Sequence, residues 1–121
     1  MSDWNPVSVE QQILETANDI ARGVSVASEA YQAFLDAERA YKKVYARAYM
    51  GHKGAQTEKK IAANIVPEVE AAELARDVAD VAYMFAKDTN AALNSKLEAC
   101  RSVGVSVRQA YAVAGRGEQN W

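Results

Sequence analysis

The sequence reads as an all-α chain on three grounds. Apolar residues recur at steps of three and four. Period-two alternation never outlasts the short stretches VSVAS and VGVSV, and both lie inside helix-patterned sequence. Half of the chain is apolar, yet much of that half is alanine, which suits closely approaching helices better than a thick core of bulky side chains. The expected architecture is a set of long helices in a hairpin-like bundle with a short connecting helix, assembled into a homo-oligomer. At 121 residues the chain is read as one helical domain, 1–121.

Each element has its own signals. Residues 1–7 form a lead, in which Ser2 or Ser8 offers a cap and Pro6 suits a first helical turn. A helical arm follows over 8–50, with a bend expected at Gly23. Its apolar stripe is Ala27, Tyr31, Phe34, Tyr41, Tyr45 and Ala48, interrupted by Glu38. GHKGAQ (51–56) is the clearest break, with two glycines three apart. Thr57 stands where an N-cap belongs, and Glu58 falls in the first turn of a short helix within 51–67. Pro67 pushes Val66 away from helical geometry and itself suits the start of the next helix. A long helix is expected over 68–112, pausing at Gly104, which costs about 1 kcal/mol in a helix interior. Its stripe is Val78, Ala82, Phe85, Thr89, Ala92, Lys96, Cys100, Val103 and Val107, close to a coiled-coil period, with Leu93 and Leu97 beside it. Residues 113–121 are expected to form a flexible tail.

A helix of some 35 residues is about 50 Å long. A chain this small cannot fully cover two such helices, so self-association through the alanine-rich seam is expected. The seam residues are Val78, Ala82, Phe85, Ala92, Leu93, Cys100, Val103, Val107 and Tyr111. A compact monomer with the helix broken near Gly104 is the alternative.

The net charge is −2, which by itself argues against a nucleic-acid binder. Its distribution argues otherwise. Residues 10–38 carry a balance of −5, residues 39–60 one of +6, and residues 68–88 one of −4. The acidic arms either neutralise the basic middle or leave it free for an anion. The single cysteine, Cys100, excludes an internal disulfide and reads as a small core residue. The N-terminal stretch lacks the features of a secretory signal, and no run is long enough to span a bilayer. A cytoplasmic protein with no membrane partner is expected, in the host cytoplasm if the chain is phage-encoded.

Catalytic chemistry finds little footing. His52 is the one histidine and sits in a glycine loop with no carboxylate pair at local spacing. No metal-ligand set or phosphate loop is present, since GHKG lacks the strand before it and the Ser/Thr after it. No enzyme activity, cofactor or metal is expected. The strongest candidate is ERAYKKVYARAYMGHKG (38–54). Tyr41, Tyr45 and Tyr49 fall four apart, flanked by Arg39, Lys42, Lys43 and Arg47, and Lys53, Lys59 and Lys60 carry the charge onward. Cations neutralise phosphates, and tyrosine faces stack unpaired bases at roughly 1–3 kcal/mol each. Alternatively the tyrosines are core and the lysines a solvated face. The electrostatic grip on a strand survives either way.

The order of segments resembles the small phage recombination mediators of the UvsY type and related short tailed-phage helical proteins. The resemblance spans roughly residues 25–115 and rests on the basic ARAYMG, the glycine loop, the short capped segment and the closing LEACRSVGVSVRQAYAVAG. The family pattern is lysine, alanine and arginine, then an aromatic and a glycine. Here those positions read Tyr45, Ala46, Arg47, Tyr49 and Gly51, so Arg47 takes the place of the DNA-contacting arginine. Tyr45 replaces the lysine, with Lys43 two residues earlier as its substitute. The resemblance implies a phage protein in a closed homo-oligomer that binds single-stranded DNA. It further implies help in loading a recombinase while a single-strand-binding protein is displaced, with avidity multiplying a weak grip per subunit. Two other readings stand beside it: an interaction protein that inhibits a host or defence protein, and a structural phage component.

Overall fold

The computed structural model describes residues 4–119, with side chains through Ala114. Three helices account for its regular structure: α1 (Pro6–Gly51), α2 (Gln56–Asn64) and α3 (Pro67–Gln119). Among the described residues there is no strand. Nor, among the described residues, is any helix long and apolar enough to cross a membrane.

The termini show why the helices start where they do. Asn5 caps α1: its Oδ1 accepts a hydrogen bond from the Ser8 N–H, and the Asn5 N–H donates to Ser8 Oγ, both at 3.0 Å. This reciprocal pair satisfies two helix-end donors, with Pro6 at the first helical position. Ser8 thus acts from inside the first turn and is not the cap itself; Ser2 lies outside the described residues. Thr57 is likewise not a cap. Ala55 precedes α2 without a side-chain cap bond, and its carbonyl accepts the Lys59 N–H at 3.0 Å. Gly54 makes that start possible, because its φ of +133° lies where L side chains are rarely found. At the next junction the Val66 carbonyl accepts the Glu70 N–H at 3.0 Å, so Val66 leads into α3 with Pro67 in its first turn, as expected.

The chain divides into two compact units. In the first, built from residues up to Val24 and from Asp88 onward, the α1 and α3 segments run antiparallel. Val9 packs at Gly104 and Asn90 at Gly23. The inward face of α1 is Val9, Ile13, Thr16, Ile20 and Gly23; that of α3 is Asn90, Leu93, Leu97, Cys100, Gly104 and Val107. Both alternate steps of three and four.

The helical backbone of α1 runs through Gly23 and that of α3 through Gly104, so α3 does not pause at Gly104. Each glycine marks a close approach. A Cβ on Gly104 would stand 3.1 Å from Val9 Cγ1, and Val9 is fully buried. A Cβ on Gly23 would collide with Asn90 Oδ1, and Asn90 Nδ2 donates to the Gly23 carbonyl at 3.0 Å. The helical backbone of α3 also continues through 113–119, where a tail was expected; Asn120 and Trp121 lie outside the described residues.

Thr16 is fully buried and its hydroxyl has no hydrogen-bond partner among the described residues. An unpaired buried hydroxyl costs about 1–3 kcal/mol, whereas an apolar isostere carries no such cost. Thr16→Val is therefore expected to raise stability by about 1 kcal/mol. A higher urea midpoint with an unchanged slope is the result to look for, and a lower midpoint contradicts it.

The second unit, Ser25–Lys87, is a helical hairpin whose connection contains α2. The inward face of α1 here is Ala27, Ala30, Phe34, Ala37, Tyr41, Val44 and Ala48, and that of α3 is Val69, Ala72, Arg76, Ala79, Tyr83 and Ala86. Small residues dominate, which lets the helices come close, while Val69 and Ala63 of α2 close the turn end with full burial. Tyr31 packs on Tyr83 across the pair, with ring centroids 4.9 Å apart.

Burial divides the predicted α3 stripe between two faces. Val78, Ala82, Phe85, Thr89, Ala92 and Lys96 are all exposed. Two consecutive steps of four, from Ala92 to Lys96 to Cys100, carried the predicted stripe from the outer face onto the inner one. The true inward row admits Arg76, Tyr83 and Asn90, polar residues that a search for apolar periodicity passes over.

Candidate nucleic-acid interface

The basic residues all belong to the Ser25–Lys87 unit, on the last turns of α1, the loop 52–55 and α2. Arg39, Lys43 and Arg47 step by four along α1 and are exposed. Successive steps of four turn 400°, so they form one slowly drifting row. Tyr41, Tyr45 and Tyr49 form a neighbouring row, half-buried.

The two rows have different partners. Arg39 pairs with Asp36 at 3.5 Å and Lys42 with Glu38 at 3.0 Å, both within α1 and at the surface. Such pairs contribute at most about 1 kcal/mol and can be exchanged for phosphate contacts. Lys43, Arg47, Lys53 and Lys60 pair with no carboxylate among the described residues. Within this unit the acidic arms therefore leave these four cations uncancelled.

The tyrosines form a ladder capped at both ends. Tyr41 and Tyr45 have ring centroids 6.0 Å apart, and Tyr45 and Tyr49 are stacked at 6.4 Å. The Arg76 guanidinium of α3 lies 4.4 Å over Tyr41, and Lys59 Nζ of α2 lies 5.3 Å over Tyr49. Each cation–π contact contributes about 0.5–2 kcal/mol depending on desolvation. The ladder ties the three helices of this unit together. Tyr45 has a tyrosine on either side and Tyr49 has Lys59 over its ring, so packing accounts for these rings without any base. Lys59 is correspondingly engaged, and not a free member of the basic band.

Arg76 went unremarked in the sequence because its position in the inward row shows only once the phase of α3 is known. It donates to Asp77 Oδ1 from Nη2 at 3.1 Å and from Nε at 3.3 Å. That hydrogen bond raises its already high pKa, against a smaller opposing effect of burial, so Arg76 stays a cation across the accessible pH range.

An open groove of about 360 Å³ runs beside the basic row, lined by Val44, Arg47, Ala48, Val66 and Glu68. Arg47 thus sits at the rim of an apolar depression and makes no ion pair with Glu68. His52 is exposed in the turn after α1. Among the described residues no group of His, Cys, Asp and Glu gathers to hold a metal ion.

The nine seam positions differ in their exposure within the single chain. Val78, Ala82 and Phe85 are exposed in the Ser25–Lys87 unit, and Ala92 and Tyr111 are exposed in the other. Leu93, Val103 and Val107 are half-buried, and Cys100 is buried in its own unit, where it cannot also face a neighbouring subunit.

The chain matches no family model, no curated protein and no solved structure.

Proposed function

We propose that this protein is a non-catalytic, single-stranded-DNA-binding accessory protein, acting as a phage recombination mediator that helps load a recombinase. One observation carries the binding step: Lys43, Arg47, Lys53 and Lys60, which flank and enter the glycine loop along the chain, are exposed and pair with no carboxylate among the described residues. Four cations on a short stretch of surface form an electrostatic footprint for a phosphate backbone despite a net charge of −2. The grip is sequence-independent, because the tyrosines are committed to the ladder. The mediator role, with a recombinase or single-strand-binding protein as protein partner and a homo-oligomer as the working form, rests on the resemblance in segment order.

A fluorescent single-stranded oligonucleotide titrated at low and high salt tests the binding step. Affinity is expected to fall as salt rises, because bound counterions are released on association. Arg47→Ala and Lys43→Ala are each expected to weaken binding several-fold and to reduce the log–log salt slope by about 0.7, the value of one phosphate contact on a single strand. Circular dichroism should be unchanged, since both side chains are exposed. Variants that bind as the parent does remove the site assignment. A parent chain that does not bind removes the function and leaves the protein-inhibitor and structural readings.

A further inference from the structure

The face of α3 turned away from α1 in the Ser25–Lys87 unit carries a second apolar row: Ala71, Leu74, Val78, Val81 and Phe85, again at alternating steps of three and four. Leu74 is 65% exposed, Val78 60%, Val81 67% and Phe85 72%. Surface apolar residues scattered singly need no explanation, but five consecutive coiled-coil positions without a polar interruption do. α3 is therefore apolar on two opposite faces here. The inner one is used by α1, and the outer one is left open.

We infer that this outer face of α3 is the contact with a second copy of the chain, packed antiparallel about a twofold axis. The row matches itself in that arrangement. Antiparallel pairing sets Val78 against Val81 of the second copy and Leu74 against Phe85 of the second copy, each pair occurring twice by symmetry. Large side chains meet in two layers and valines meet in the two between them. On one flank Ala75 faces Ala82 of the second copy, and small residues there let the helices come close. On the other flank Asp77 faces Met84 of the second copy, so no carboxylates oppose each other. The row ends at Asp88, which falls beyond Phe85 and faces only Ala71 of the second copy. In a parallel arrangement the two Asp88 side chains would occupy the same layer and repel. The interface does not depend on the basic row, so its test and the oligonucleotide titration fail separately.

Sedimentation equilibrium on the full chain, from low to high micromolar concentration, reads the result. The parent is expected to approach twice its 13.2 kDa mass. Val78→Lys and Val81→Glu are each expected to weaken association at least about tenfold, because each buries a charge against valine. Helical content should persist, since both positions are exposed. An equimolar mixture of the two variants is expected to recover the dimer. The introduced lysine of one copy then meets the introduced glutamate of the other, and the symmetry-related layer keeps Val81 against Val78. A parent that stays monomeric overturns the inference, even if it takes up a basic helical peptide on this face. Variants that associate as the parent does, or a mixture that shows no recovery, overturn it as well.

Discussion

Gly104→Leu is expected to destabilise the protein by about 3 kcal/mol, since overpacking a tight contact between two helices has few ways to relax. An added Cβ alone would meet Val9 Cγ1 at 3.1 Å, with Arg108 Nη1 at 3.7 Å and Ile13 Cδ1 at 3.9 Å. The rest of a leucine would have to enter the space that Val9, fully buried, already fills. Against this stands the helix propensity of leucine, better than that of glycine by up to about 1 kcal/mol. The steric term is larger, because in this unit Gly104 of α3 meets Val9 directly. Gly51→Ala is the control: nothing lies within 4 Å of its Cβ, and the change should be neutral or slightly stabilising. Urea unfolding of both variants checks the pair. If Gly104→Leu proves as stable as the parent, the close approach of α1 and α3 at this level is refuted.

At Gly23 the expected result is a coupling. Asn90 Nδ2 donates to the Gly23 carbonyl at 3.0 Å, and Asn90 Oδ1 occupies the place a Cβ would take. Asn90→Ala loses that bond and leaves a gap, at a cost of about 1–2 kcal/mol. Gly23→Ala drives the same amide out of its position. Its helix-propensity gain of about 1 kcal/mol offsets part of the loss. In the double variant the methyl introduced at position 23 has room, because the amide is gone, and the propensity gain remains. The double variant should therefore be more stable than the sum of the single changes predicts, by about 1–2 kcal/mol. Simple additivity in a four-member unfolding cycle would mean that the two residues do not share this contact.

The polar members of the inward rows explain how alanine-rich helices hold one register. Methyl groups present nearly the same surface at every heptad, so a shift by one repeat changes little. Asn90 finds its acceptor and Arg76 its aromatic face only in the observed alignment. Polar groups in a helix seam characteristically set register at some expense of stability. The unpaired Thr16 hydroxyl illustrates the expense without such a return.

Local chemistry made much of this protein readable from its residues alone. The all-α class, the breaks at Gly54 and Pro67, the burial of Cys100 and the concentration of positive charge over 39–60 are properties of short segments. Each follows from backbone conformational preference, side-chain polarity or charge within a few positions. What only the tertiary structure decided concerns which face of a helix meets what. Gly23 and Gly104 have the same sequence signature as hinges, and only their packing partners, 67 positions away for Gly23 and in the opposite helix for Gly104, show them to be close-contact sites. The outer row at 71–85 and the inner row of α3 are both periodic, so periodicity could not choose between them. The contact of Lys59 with the Tyr49 ring likewise appears only once α2 is brought against α1. Spacing along one helix specifies a stripe, but its partner comes from elsewhere in the chain, and until that partner is in place a stripe has no inside or outside.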